Sequence, residues 1–193
     1  WGFVVAFALF ALAVYRTALM PGQILFTTDD NVGAIATRAA MLPEGFWRTW
    51  YHPILAGQPM LLSFNWTNLL LMLLPVKLFH NLIHAIDLFI ASWALALFFR
   101  ERGVRYSAAA VGSLTAFWLG STFFLTYAGH IGKFGVVMFA AVCLWCIEVA
   151  AKRKSMAWAM LAGGAMGFML HEQADVALFF ALVLGPYALF AVW

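Results

Sequence analysis

Charged residues are scarce in this chain, and their scarcity excludes an ordinary soluble domain. They make up 10% of the 193 residues, while 65% of the residues are hydrophobic and the mean hydropathy is +0.92. A typical soluble domain carries about 25% charged residues. The composition therefore predicts a polytopic membrane protein.

Basic residues and cysteines are also few, and each shortage excludes a kind of site. The 11 Lys and Arg residues leave a net charge of +3, and they are too scattered to form the continuous basic stripe of a nucleic-acid-binding protein. Cys143 and Cys146 share a helix face at i, i+3, but they lack the second CxxC pair of a zinc site. We predict that nucleic acid is not a partner and that both cysteines are small core residues.

Long apolar runs are abundant. Crossing about 30 Å of hydrocarbon takes roughly 20 helical residues. We predict a single all-α transmembrane domain over residues 1–193, a polytopic helical bundle with six spans at 2–20, 82–100, 107–128, 134–151, 156–171 and 176–193. Residues 21–81 then form a long external loop. Because the first run opens at Trp1 without a methionine and the last stops at Trp193, we expect a longer protein truncated at both ends.

Two Lys/Arg clusters orient the predicted bundle. They lie at residues 100–105 and 152–154, and cytoplasmic loops collect Lys and Arg. We therefore expect these clusters and the amino terminus on the cytoplasmic side, and the polar loops at 28–31, 129–133 and 171–175 together on the other side. The apolar segment 60–74 would invert this orientation if it crossed, so we predict that it lies in the outer interface or re-enters.

The predicted external loop carries two helix starts and an acidic pair. Asp30 or Asn31 can cap a helix that continues to residue 41, and Pro43 can open a second helix that continues to residue 51. We interpret both as juxtamembrane helices. One carboxylate of the Asp29-Asp30 pair can cap the first helix, and the other would then be available as a general base. Capping without catalysis is the alternative.

Three short motifs carry a family resemblance: Thr28-Asp29-Asp30, Gly57-Gln58-Pro59 and Gly129-His130-Ile131-Gly132-Lys133. With a first span, a long external loop and an apolar interfacial helix, their order resembles the C-type glycosyltransferase superfamily, and within it the YfhO-like bacterial membrane proteins. The resemblance implies transfer of a sugar from a polyprenyl-phosphate carrier to an acceptor, on the extracytoplasmic face of the bacterial inner membrane. It implies Asp29 or Asp30 as the catalytic base.

Such a transfer also needs cations that hold the leaving lipid phosphate. Gly129 and Gly132 would let backbone and phosphate approach closely, because glycine has no Cβ. The alternatives are that Lys133 snorkels at the end of span four and that His130 caps span three. The candidate substrate-binding residues are His130, Lys133, Arg38, Arg48, His171 and Glu172.

The third polar cluster offers a metal site. His171 and Asp175 are spaced i, i+4, so a continuous helix would place them on one face as a metal or acid–base pair. An ordinary polar turn between two spans is the alternative. A divalent metal ion is therefore a candidate cofactor without a decisive ligand set.

Other polar groups carry less weight. His84 and Asp87 are predicted near the outer end of span two, where they could face one cavity or pair with each other. Glu148 is spaced for an ion pair with Lys152. The glycine-rich stretch 163–167 is predicted to give span five a face for close helix packing.

A transporter or flippase is the second functional hypothesis, in which the external carboxylates and histidines form a proton or substrate path. Transporters place ionisable groups at mid-span, and the predicted mid-spans are nearly free of them. A haem subunit would use His84, His130 or His171 as axial ligands, but nothing pairs these histidines at a haem-like spacing. A structural membrane subunit without catalysis is also left open.

Overall fold

In the part of the chain that the structure describes, residues 2–47 and 62–193, every regular element is a helix. The structure is a computed structural model. Short 3-10 turns lie at Arg16–Leu19 and Glu44–Phe46. The α-helices are α1 (Gly2–Val14), α2 (Val32–Ala40), α3 (Trp66–Leu73), α4 (Val76–Glu101), α5 (Tyr106–Phe117), α6 (Gly120–Ala128), α7 (Ile131–Arg153), α8 (Met156–Glu172) and α9 (Ala174–Val192).

Three of these helices are long and apolar enough to cross a membrane. α4, α7 and α9 have 26, 23 and 19 residues, and a rise of about 1.5 Å per residue makes each of them close to or longer than the hydrocarbon core. The chain is therefore an all-helical membrane protein. The next longest described helix, α8, has 17 residues, so three of the six predicted spans lack a single helix of spanning length.

α7 packs against α4, α8 and α9. Its contact with α4 includes the small residues Ala91, Ala94 and Ala141 beside the larger Met138, and small residues allow two helix backbones to come close. Toward α8 and α9 it buries Cys143 and Cys146. The prediction that both cysteines are core residues is confirmed.

The first three predicted spans differ from the helices observed. α1 ends at Val14, and α4 begins at Val76 rather than at residue 82, directly after Pro75, whose ring presets the backbone for a helix start. The predicted span 107–128 is divided into α5 and α6 because Leu119 adopts an extended conformation, with ψ 164°. Within the described part of segment 60–74, α3 has only 8 residues, which is too short to cross a membrane.

Ion pairs join the helices at one end of the bundle. Glu148 lies 3.4 Å from Lys152 and 3.6 Å from Arg102, so the predicted i, i+4 ion pair is confirmed. Arg153 pairs with Glu101 at 3.2 Å. The two Lys/Arg clusters of the sequence therefore lie at the same end.

The glycine face predicted on α8 does not pack against another described helix. A Cβ added at Gly163, Gly164 or Gly167 would meet no atom of the described residues within 4 Å. The residues that α8 buries lie at i, i+3 and i+7 on another face of the helix, and they are Ala162, Ala165 and Met169.

Candidate functional site

Backbone hydrogen bonds hold residues 28–31, here called the acidic loop, against the turn that joins α6 and α7. The Thr28 N–H donates to the Tyr127 carbonyl at 3.1 Å, and the Asp29 N–H donates to the Ala128 carbonyl at 2.9 Å. The Thr28 hydroxyl also donates to the Ala128 carbonyl, at 2.9 Å. Two of the three polar loops identified in the sequence therefore lie together at the beginning of α7.

Gly129 makes this contact possible. It ends α6 with φ +82°, a left-handed conformation that glycine adopts readily. A Cβ at Gly129 would lie 3.0 Å from both the Asp30 nitrogen and the Thr27 Cβ. At Gly132, a Cβ would lie 3.2 Å from the Glu172 carbonyl oxygen. Both glycines thus admit neighbouring segments of this chain, where the sequence predicted that they admit a phosphate.

Asp30 is occupied by contacts within the protein. One carboxylate oxygen accepts a hydrogen bond from Arg38 Nη2 at 3.1 Å, and the other accepts from the Ile131 N–H at 3.3 Å. Asn31, rather than an aspartate, caps α2, since its side chain accepts from two backbone N–H groups of the first turn at 3.0 Å each. Of the two predicted capping residues, Asn31 is the correct one, and neither aspartate is needed there.

Asp29 has a carboxylate that is open to solvent. Its side chain is 61% exposed, and Oδ2 lies 3.4 Å from His130 Nδ1. Among the described residues, no other side chain forms an ion pair with it. His130 precedes α7 without a side-chain capping bond, and the residue that caps the end of α6, where the predicted span three ends, is Gly129. A carboxylate paired with an imidazole in this way can accept a proton.

Lys133 borders a cavity of about 300 Å³ inside the bundle. It lies one turn after His130, and no described carboxylate forms an ion pair with its ammonium group. The remaining lining comes from α4, α5, α6, α7 and α9 and consists of Leu88, Ala116, Phe117, Thr122, Leu125, Phe134, Val137 and Phe180. An apolar cavity with one cation at its edge suits an amphiphile with an anionic head.

Glu172 links three helices. Its carboxylate accepts hydrogen bonds from the Thr67 N–H at 2.9 Å and the Thr67 hydroxyl at 2.6 Å. Its side chain also covers Gly135, where a Cβ would lie 2.8 Å from Glu172 Cγ. Burial raises the pKa of Glu172, although the hydrogen bonds from Thr67 act in the opposite direction. Glu172 therefore positions α3 against α7, and its role in substrate binding stays a prediction.

The continuous helix on which the predicted pairing of His171 with Asp175 depends does not form. α8 ends at Glu172, Gln173 has an extended backbone with φ −157° and ψ 97°, and α9 begins at Ala174. The two side chains therefore belong to different helices and do not share a face. No group of three or more His, Cys, Asp or Glu residues within 2–47 and 62–193 is arranged to hold a metal ion.

Part of the predicted site lies outside the described residues. This part comprises Arg48, which was a candidate for binding the lipid phosphate, and the Gly57-Gln58-Pro59 motif of the family resemblance. The second predicted juxtamembrane helix, to residue 51, is described only as far as Trp47. In its described part, the regular structure is the 3-10 turn Glu44–Phe46.

His84 and Asp87 lie deeper in the protein than the sequence predicted. Both side chains are fully buried in α4, and because this helix begins at Val76, Asp87 lies near its middle and not near its outer end. Asp87 Oδ1 accepts a hydrogen bond from Trp66 Nε1 at 3.0 Å. The spacing of His80, His84 and Asp87 at i, i+4 and i+7 within an apolar run was the signal that could have identified them.

Comparison of the chain with protein-family models, with curated proteins and with solved structures finds no match. The structure defines the class, a membrane protein whose described residues are all-helical and include three helices that are long and apolar enough to span a bilayer.

Proposed function

We propose that this chain is the catalytic portion of a membrane glycosyltransferase that moves a sugar from a polyprenyl-phosphate carrier to an acceptor, with Asp29 as the base. The observation that carries the proposal is the difference between two adjacent carboxylates. Asp30 is held by Arg38 and Ile131, whereas Asp29 is 61% exposed and faces His130 at 3.4 Å. A general base must be able to reach the proton that it removes, and Asp29 satisfies this condition.

The proposed reaction divides its tasks among three groups. The acceptor hydroxyl forms a bond to the anomeric carbon of the sugar, Asp29 takes the hydroxyl proton, and the bond from that carbon to the carrier phosphate breaks. Lys133 then stabilises the negative charge on the leaving phosphate. Arg38 is the weaker candidate for this task because its guanidinium already pairs with Asp30 at 3.1 Å.

The cavity beside Lys133 is the proposed site for the first isoprene units of the carrier. Its volume of about 300 Å³ and its apolar lining match a short length of hydrocarbon chain. The ammonium group at its edge would meet the phosphate to which that chain is attached. The cavity and the Lys133 ammonium group thus form one proposed binding site for one amphiphilic donor.

We propose that Asp29 and His130 face the extracytoplasmic side of a bacterial inner membrane and that the amino terminus is cytoplasmic. The Arg153–Glu101 ion pair joins the two basic clusters, and the positive-inside bias favours the cytoplasm for that end. Phe3 of α1 contacts Tyr106 at the same end, with ring centroids 5.5 Å apart. In this six-span proposal, α1, α8 and the α5–α6 pair cross the membrane together with α4, α7 and α9.

Sugar transfer in liposomes tests the proposal. The full-length protein is reconstituted with a panel of radiolabelled polyprenyl-phospho-sugars and crude acceptor, as wild type, Asp29→Asn and Glu44→Gln. We expect Asp29→Asn to lower transfer by about 100-fold or more, the contribution of a general base, and Glu44→Gln, an exposed control, to leave it unchanged. Full activity of a folded Asp29→Asn protein would overturn the assignment of the base.

The same liposomes distinguish the competing functions. If no donor supports transfer, the glycosyltransferase proposal fails. Uptake of a solute driven by a proton gradient would then favour the transporter, which has no need of a polyprenyl donor. A visible absorption spectrum of the purified protein tests the haem hypothesis separately.

A further inference from the structure

Three ionisable side chains form a column along the buried face of α4. His80, His84 and Asp87 are spaced i, i+4 and i+7, so they point to the same side of the helix. Their exposed fractions are 1%, 0% and 0%. The column runs from the segment before the acidic loop, where His80 Nε2 bonds to the Leu25 carbonyl at 2.9 Å, to the middle of α4.

Most polar atoms of this column have no hydrogen-bond partner in the described part of the chain. They are His80 Nδ1, both ring nitrogens of His84, and Asp87 Oδ2. A buried polar group without a partner is costly, so several of them in one place call for a ligand. His84 and Asp87 do not form an ion pair with each other, and the smallest ligand with donors and acceptors for both is a water molecule.

The surroundings of Asp87 disfavour a negative charge. α3 contributes the neutral Trp66 indole at 3.0 Å, and α7 contributes Phe134, whose ring meets His84 at 4.6 Å. The titratable groups brought toward Asp87 from other elements are Tyr15 and Glu172, neither of which is a cation. An ionised carboxylate without a cation is far more costly to bury than a neutral acid.

We propose that His84 and Asp87 form a proton-binding site in the middle of the membrane domain, with internal water between them. The ligand is a single proton. On uptake, a proton from bulk water adds to Asp87 Oδ2 and converts the carboxylate to a carboxylic acid. On release, the proton passes from Asp87 through the bridging water to the His84 ring. It then reaches bulk water at the end of the bundle that carries the acidic loop. No other reactant is needed.

Occupancy of this site is coupled to α3. Adjacent residues of the first turn of α3 contact two acids, since Trp66 donates to the buried Asp87 at 3.0 Å and Thr67 donates to the half-buried Glu172 at 2.9 and 2.6 Å. Loss of the proton would place a second negative charge near Glu172. Repulsion between these charges would loosen the attachment of α3 to α4 and α8. This inference does not depend on the proposed sugar transfer.

Infrared spectroscopy of the full-length protein in lipid at neutral pH tests the site directly. A protonated carboxylic acid has a C=O stretching band that separates from the amide and carboxylate bands and shifts on hydrogen–deuterium exchange. We expect this band in the wild type and its loss in Asp87→Asn, which keeps an oxygen acceptor for Trp66. Glu172→Gln and Asp175→Asn are the matched controls, and both should retain the Asp87 band.

Two further measurements keep the test decisive. Labelling the aspartate carboxyl carbons of the wild type with ¹³C should shift the band, which assigns it without any substitution. His84→Phe keeps the aromatic contact with Phe134 but removes the relay, so deuterium exchange at Asp87 should become slower. Absence of an aspartic-acid band, or an exchange rate unchanged in His84→Phe, would overturn the proposal.

Discussion

Arg38 donates a hydrogen bond to Asp30 at 3.1 Å, and this contact ties α2 to the beginning of α7, because the other Asp30 oxygen accepts from the Ile131 N–H at 3.3 Å. The carboxylate is one quarter exposed, so solvent weakens the ion pair. The two aspartates of the acidic loop should therefore respond differently to substitution, one through stability and the other through activity.

We expect Asp30→Asn to lower the free energy of unfolding by about 1 kcal/mol through loss of a charge-assisted hydrogen bond. Asp29→Asn should leave stability unchanged because its side chain is exposed and holds no helix. Thermal unfolding of both variants in the same detergent measures the difference. Equal melting temperatures for the two variants would contradict the structural role of Asp30.

Substitution of Gly129 tests the close approach of the acidic loop to the turn between α6 and α7. Gly129 and Gly22 have almost the same backbone, φ +82° and +81°, but only at Gly129 would a Cβ meet neighbours, at 3.0 Å. Gly22→Ala should cost about 1–2 kcal/mol of stability from the left-handed backbone alone. Gly129→Ala should cost more, and the excess measures the contact with the acidic loop. A cost no larger than that of Gly22→Ala would mean that the loops separate freely.

Glu172 should make stability depend on pH. It is the last residue of α8, one residue beyond the predicted span 156–171, and burial raises its pKa above the ordinary value of 4.5. Between the unfolded and folded pKa values the folded protein binds more protons than the unfolded chain. The free energy of unfolding therefore falls as pH rises through that window.

Melting temperatures measured across this window should fall less steeply in Glu172→Gln than in the wild type. Glutamine keeps an oxygen that accepts from Thr67 but does not titrate. Glu44→Gln, which alters an exposed carboxylate, is the control and should follow the wild-type curve. A wild-type slope in Glu172→Gln would assign the pH dependence to other groups.

Features that depend on neighbouring residues in the sequence were predictable. The hydrophobic runs predicted an all-helical membrane protein, and the i, i+4 spacing predicted the ion pair between Glu148 and Lys152. The burial of Cys143 and Cys146 also followed from their place in an apolar run. Each of these properties is set by composition or by a single helix face.

Features that depend on distant partners were not predictable. The contacts that distinguish Asp30 from Asp29 include the Ile131 N–H, which is 101 residues away from Asp30. The interruption at Leu119 lies within an apolar run of spanning length, so hydropathy alone could not reveal it. The buried position of Asp87 was hidden because hydropathy placed the start of its helix at residue 82 rather than at Val76.

Filling the cavity beside Lys133 should discriminate between donors by the length of their lipid chain. Val137 lines the cavity, so Val137→Trp should displace the first isoprene units while leaving Lys133 and Asp29 in place. We expect KM to rise by about tenfold, or about 1.4 kcal/mol of binding, for a long-chain polyprenyl-phospho-sugar, and to change little for a donor with a single isoprene unit. Lys133→Met should weaken the binding of both donors because both carry the phosphate.

Val111→Trp is the matched control, since Val111 is 60% exposed on α5 and does not line the cavity. An equal effect of Val137→Trp on both donors would place the carrier chain elsewhere.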